Sequence, residues 1–152
     1  MKFQNLISWQ AKILHYLDRT IEAIDLIKHK KEYQETLDKI KKSKELKELA
    51  TLSYQSKNFQ KAIETFNACL QLDPLNFDFN SGIYFNIGLC HIQLNSDPLD
   101  SFASCLALNP AHQKCLFKRA EYYSEKLGCY QEAINDYQKV NSFDVKPKIK
   151  EA

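Results

Sequence analysis

Five polar side chains have the types and spacing to hold a carboxylate. Lys47 and Thr51 are four residues apart, as are Lys114 and Lys118. On an α-helix such pairs project from one face, one turn above the other. Asn86 lies between the two pairs in sequence. Three lysines and an amide gathered in one groove make a carboxylate site: the ammonium groups supply attraction and the amide fixes orientation. Other chemistry is poorly supplied. His15, His29, His91 and His112 are scattered with no H-x-x-x-H pair, and Cys69, Cys90, Cys105, Cys115 and Cys129 show no C-x-x-C spacing. No metal site or disulfide framework is expected, and the cysteines read as free, buried thiols of a reducing compartment. Cys90 and His91 are adjacent, but neighbours on a helix face apart and make no nucleophile–base pair. There is no Gly-rich phosphate loop. These absences point away from an enzyme and from any cofactor.

The elements that position the five residues follow from a repeat. Ala62, Phe66, Cys69 and Pro74 stand at offsets 0, 4, 7 and 12, and Phe102, Cys105 and Pro110 repeat the last three. Two matched phrases, "CLQLDP" and "CLALNP", end on those prolines. Ala133, Tyr137 and Val140 repeat the offsets 0, 4 and 7, and Ala23 and Ile27 repeat 0 and 4 more faintly. Each phrase follows another apolar segment of helical spacing with a small residue at a comparable point: Ala50, Gly88 and Ala120. Breakers fall between halves or between units, at Lys57-Asn58, Pro74, Asp97-Pro98, Pro110 and Gly128. Pro98 reads as the first helical residue behind an Asp97 cap. The period is 36 residues from Pro74 to Pro110 and 71, or about two units, from Ala62 to Ala133. Two helices of about 14 residues with short turns give a unit near 34. The excess is ascribed to "NFDFNSGIY", read as a long link after Pro74.

The chain on these residues resembles the tetratricopeptide repeat (TPR) family, through Ala50, Ala62, Phe66, Cys69 and Pro74, then Gly88, Phe102, Cys105 and Pro110, then Ala120, Ala133, Tyr137 and Val140. Residues 8–30, with Ala11, Ala23 and Ile27, look like a degenerate further repeat. The resemblance implies an all-α, right-handed superhelix (solenoid) of antiparallel helical hairpins. The expected organisation is a degenerate hairpin and linking helix over 1–42, three repeats over 43–144 and a tail over 145–152. Helix starts after a long link, followed by "KxxxK/RRA", look like the co-chaperone branch, closest to TPR-containing J-proteins and Hsp-organising adaptors.

In that branch a carboxylate clamp of Lys, Asn, Asn, Lys and Arg holds the acidic C-terminal tail, ending Glu-Glu-Val-Asp, of seventy- and ninety-kilodalton heat-shock chaperones. The resemblance places Lys47, Thr51, Asn86, Lys114 and Lys118 at those positions. Thr51 replaces an Asn, and Lys118 replaces an Arg, losing the fork that grips a carboxylate at two points. Arg119 is expected on a different face, and Glu121 on the groove side, where it opposes an acidic tail. The function implied is a protein-interaction module binding such a tail; the alternative is a structural repeat scaffold that binds another protein without a clamp. A J-domain needs His-Pro-Asp, which the sequence lacks, so kinship with a J-protein implies a fragment or a divergent relative.

Bulk properties agree with a helical interaction domain. Hydrophobic residues make up 44% and charged residues 26%, with only 3 Gly and 4 Pro, which suits long helices in a globular chain. Net charge is +2, too small to imply nucleic-acid binding. Eight lysines crowd residues 28–47, but Glu32, Glu35, Asp38 and Glu45 interleave at helical spacing, which reads as a solvated helix face. Trp9, Phe66, Phe102, Tyr123 and Tyr137 are expected to fill helix–helix seams. No apolar run reaches membrane-spanning length, and a cytoplasmic location is expected.

Overall fold

Neither glycine nor proline occurs before Pro74, and from Lys2 to Gln55 the backbone keeps to one conformation. In the computed structural model, which describes residues 2–144, the first element is a single helix, α1 (Lys2–Gln55). The hairpin expected within residues 1–42 is therefore not formed. Nothing in the segment stops a helix: Thr20 and Thr36, candidates for a break, turn their hydroxyls back onto the carbonyls of Tyr16 and Glu32, as helical threonines do. Gln34–Asp38 and His29–Glu32 contacts add local support. The chain divides into two compact units, Met1–Lys41 and Lys42–Ala152. In the first unit Trp9 is 68% exposed, which corrects its expected place in a seam: with no second helix in that unit, it has no seam to fill. The lysine run lies exposed along α1. The expected tail, 145–152, falls outside the described residues.

The second unit holds the end of α1 followed by α2 (Phe59–Leu72), α3 (Phe77–Gln93), α4 (Leu99–Leu108), α5 (Gln113–Tyr122, continued by a π-helical turn over Tyr123–Leu127) and α6 (Tyr130–Asp144). These make three helical hairpins in an all-α repeat. Each hairpin turns through a residue in left-handed backbone: Lys57 (φ 60°), Asn95 (φ 54°) and Gly128 (φ 65°). The turns close alike, with Asn58 N donating to Ser53 O, Ser96 N to His91 O and Cys129 N to Tyr123 O, at 2.9, 2.9 and 2.8 Å, the long bond of a Schellman C-cap in the first two. Side chains open the next helices: Asn58 Oδ1 accepts from Lys61 N, Asn76 Oδ1 from Phe79 N, and His112 Nδ1 from Cys115 N. Asp97 Oδ1 accepts from Leu99 N at 2.8 Å, but Pro98, expected as the first helical residue, is itself the N-cap and Leu99 begins α4. "NFDFNSGIY" is not a link, however. Asn76 caps α3 and Phe77 begins it, so the extra length of this repeat is helix.

The repeat positions form the core. Ala50, Ala62, Phe66, Cys69, Ile83, Ile87 and Cys90 pack in one buried cluster, and Phe102, Cys105 and Cys115 in the next. Tyr84 touches both. The small positions are explained at Gly88, where a methyl group added to Cα would lie 2.5 Å from Phe102 Cε1. Only hydrogen lets α3 and α4 approach this closely. Among the described residues, no helix is long and apolar enough to cross a membrane.

Candidate functional site

The first helix of each hairpin carries the expected site residues: Lys47 and Thr51 on α1, Asn86 on α3, and Lys114 and Lys118 on α5. Lys47, Thr51, Asn86 and Lys118 are half-buried and Lys114 is exposed. Lys47 and Thr51 line an open groove of about 630 Å³ with Lys44, Glu48, Leu52, Gln55 and Phe79. Thr51 and Asn86 share a smaller cavity of about 100 Å³ with Tyr54, Phe66 and Leu89. Three of the five residues are thus brought together around Thr51. Lys114 and Lys118 lie one turn apart on α5, outside both cavities.

The polar partners of these five differ in kind. Thr51 Oγ1 donates to Lys47 O at 2.8 Å, so its lone pairs, not its proton, are left for a ligand. Lys47 Nζ stands 5.5 Å from the centroid of the Phe79 ring, a cation–π distance. The Asn86 amide makes no hydrogen bond among the described residues. Lys118 Nζ is held by Glu121 Oε2 at 2.7 Å. Glu121 is the acid expected to oppose an acidic ligand, and here it occupies a lysine of the same site.

Arg119 lies beside Lys118 in sequence and does other work. Its Nε and Nη2 donate to the two oxygens of Asp136 at 2.7 and 2.8 Å, and the Asp136 side chain is 3% exposed. This pair ties α5 to α6 and holds the guanidinium pKa above its usual value. Its face is indeed not that of Lys118.

Phe79 and Lys44 are among the groove residues that escaped the sequence reading. Phe79 is seven residues before Asn86 on α3, two turns back on the same face; treating its segment as a link hid it. Lys44 precedes Lys47 by three, the same relation one turn long. The buried thiols are core groups. Burial pushes Cys90 up to about 11, far from a thiolate at neutral pH. His91 Nδ1 instead contacts Ser96 Oγ at 2.9 Å.

Residues 43–76, the end of α1 with α2 and the turn after it, match the sequence profile of the tetratricopeptide repeat. This segment is a tetratricopeptide repeat. The repeat is the hairpin that contributes Lys47 and Thr51. The chain is similar to the DnaJ homolog subfamily C member 7 homolog of Dictyostelium discoideum, with 31% identity over 93 residues, covering 60% of this chain and 17% of that protein. It is similar also to human DnaJ homolog subfamily C member 7, with 28% identity over 90 residues, covering 58% of this chain and 18% of the relative. The chain thus spans less than a fifth of the length of these relatives.

Proposed function

We propose that residues 43–144 form three tetratricopeptide repeats that act as the protein-interaction module of a cytoplasmic co-chaperone. The ligand in this reading is the acidic C-terminal tail of a seventy- or ninety-kilodalton heat-shock chaperone, bound by Lys47, Thr51, Asn86, Lys114 and Lys118 in a partly retained clamp. The carrying observation is the convergence of Lys47, Thr51 and Asn86 on cavities between α1 and α3, with an amide that makes no hydrogen bond among the described residues. The similarity to DnaJ homologs supports a chaperone-system partner.

A titration with a synthetic peptide ending Glu-Glu-Val-Asp, as the free acid and as the C-terminal amide, tests the proposal. The free acid is expected to bind more tightly, and Lys114→Glu and Asn86→Ala each to weaken it. A buried partner of a charged ligand group costs about 2–5 kcal/mol when removed, against well under about 1 kcal/mol for an exposed lysine outside the site. Binding that ignores amidation and both substitutions overturns the clamp and favours a repeat scaffold.

A further inference from the structure

The two positions at which the site departs from a full clamp depart in the same direction. At Thr51 the hydroxyl proton points to Lys47 O, a geometry that helical threonines hold stably. What faces the ligand there is an acceptor. At Lys118 the ammonium is engaged by Glu121 Oε2 at 2.7 Å, with the two side chains 44% and 30% exposed. A ligand carboxylate arriving at Lys118 must displace Glu121 or lie against it, and like charges at that range repel. A second acid, Glu48, lines the groove with Lys44 and Lys47. Of the five site residues, those that remain as donors are the ammonium groups of Lys47 and Lys114 and the Asn86 amide.

We infer that the site selects a singly acidic ligand: one carboxylate for Lys47, Asn86 and Lys114, with hydrogen-bond donors or neutral side chains facing Thr51 and Glu121, and that Glu121 is the residue that disfavours a multiply acidic peptide. The inference rests on the reading of residues 43–144 as a carboxylate-binding module and specifies which carboxylate-bearing peptides it takes. A ligand N–H at Thr51 finds a lone pair, whereas a second carboxylate finds oxygen. An amide or hydroxyl near Glu121 leaves the Lys118–Glu121 pair intact.

The test is a matrix of titrations at one ionic strength. The probes are free-acid peptides ending Glu-Glu-Val-Asp and Gln-Gln-Val-Asn, the second with its C-terminal carboxylate as its one acid in that stretch. The proteins are the wild type, Glu121→Gln, Thr51→Asn and Glu121→Gln/Lys118→Met, each first shown to keep the wild-type thermal midpoint. The wild type is expected to bind the Gln-Gln peptide at least as well as the Glu-Glu peptide. Glu121→Gln is expected to raise affinity for the Glu-Glu peptide about threefold or more and to change the Gln-Gln peptide less. That gain disappears when Lys118 is also replaced, and Thr51→Asn, which restores an amide donor, shifts preference the same way. An unchanged ratio between the two peptides in Glu121→Gln overturns the inference while wild-type binding leaves the module reading standing. Failure of every protein to bind either peptide overturns both.

Discussion

Arg119 and Asp136, seventeen residues apart in sequence, meet through two parallel hydrogen bonds of 2.7 and 2.8 Å, and the carboxylate is almost fully withdrawn from water. This fork-to-fork contact ties α5 to α6 beside the edge-to-face pair of Phe117 and Tyr137, whose ring centroids are 5.5 Å apart. Lys139 Nζ, 3.9 Å from Asp136 and largely exposed, adds little. Removing one partner strands the other charge. Asp136→Ala is expected to cost about 3–5 kcal/mol in chemical denaturation. A loss under about 1 kcal/mol would show that the pair does not hold the last hairpin.

Gly88→Ala sets two effects against each other. Replacing glycine inside a helix gains about 1 kcal/mol from propensity. The new methyl would meet Phe102 Cε1 at 2.5 Å and Cδ1 at 2.7 Å. The ring is fully buried and cannot swing outward, so overpacking of about 1–3 kcal/mol wins. The expected result is a lowered thermal midpoint, partly recovered by Phe102→Leu in the same chain.

Lys57 occupies the left-handed turn position that Gly128 fills in the last hairpin. A side chain there is strained by about 1 kcal/mol or more, while glycine costs backbone entropy in the unfolded chain. Lys57→Gly is expected to be neutral to stabilising by up to about 1 kcal/mol in urea melts, whereas Lys57→Val, β-branched at positive φ, is expected to destabilise.

His112 gives the second unit a pH dependence. Its Nδ1 accepts from Cys115 N at 3.1 Å and caps α5, and the ring lies against Phe85. Burial, with help from the Lys114 charge, lowers its pKa below 6.5. The unfolded chain therefore takes up this proton at a higher pH than the folded chain does. The contribution is complete above about pH 6.5 and is lost as pH falls toward the folded-state value. Denaturation midpoints at pH 7.5 and pH 5 are expected to differ in that sense. His112→Asn, which keeps a capping oxygen and cannot titrate, should flatten the difference.

Much of the fold was legible because burial is periodic. The offsets linking Ala62, Phe66 and Cys69 to Phe102 and Cys105 mark one face of a helix, and those residues are buried, as are Ala50, Gly88 and Ala120, while Pro74 and Pro110 lie exposed beyond the helix ends. Counting within the repeat put Lys47, Thr51, Asn86, Lys114 and Lys118 on the first helices of successive hairpins. The same counting failed before residue 43. Ala23 and Ile27 echo the offsets, but a helix face has that spacing whether or not the chain turns back, and no glycine or proline makes it turn.

Sequence by itself determined which faces are apolar, where hairpins turn and which helix bears each candidate residue, since these follow from side-chain type and the 3.6-residue period. Tertiary structure alone decided where each polar hydrogen goes: Thr51 to Lys47 O, Lys118 to Glu121 and Arg119 to Asp136. It also placed Phe79 beneath the Lys47 ammonium. Periodicity fixes a direction to within a helix face, about a quarter turn. A hydrogen bond is made or lost within half an ångström, a precision set by how neighbouring helices pack.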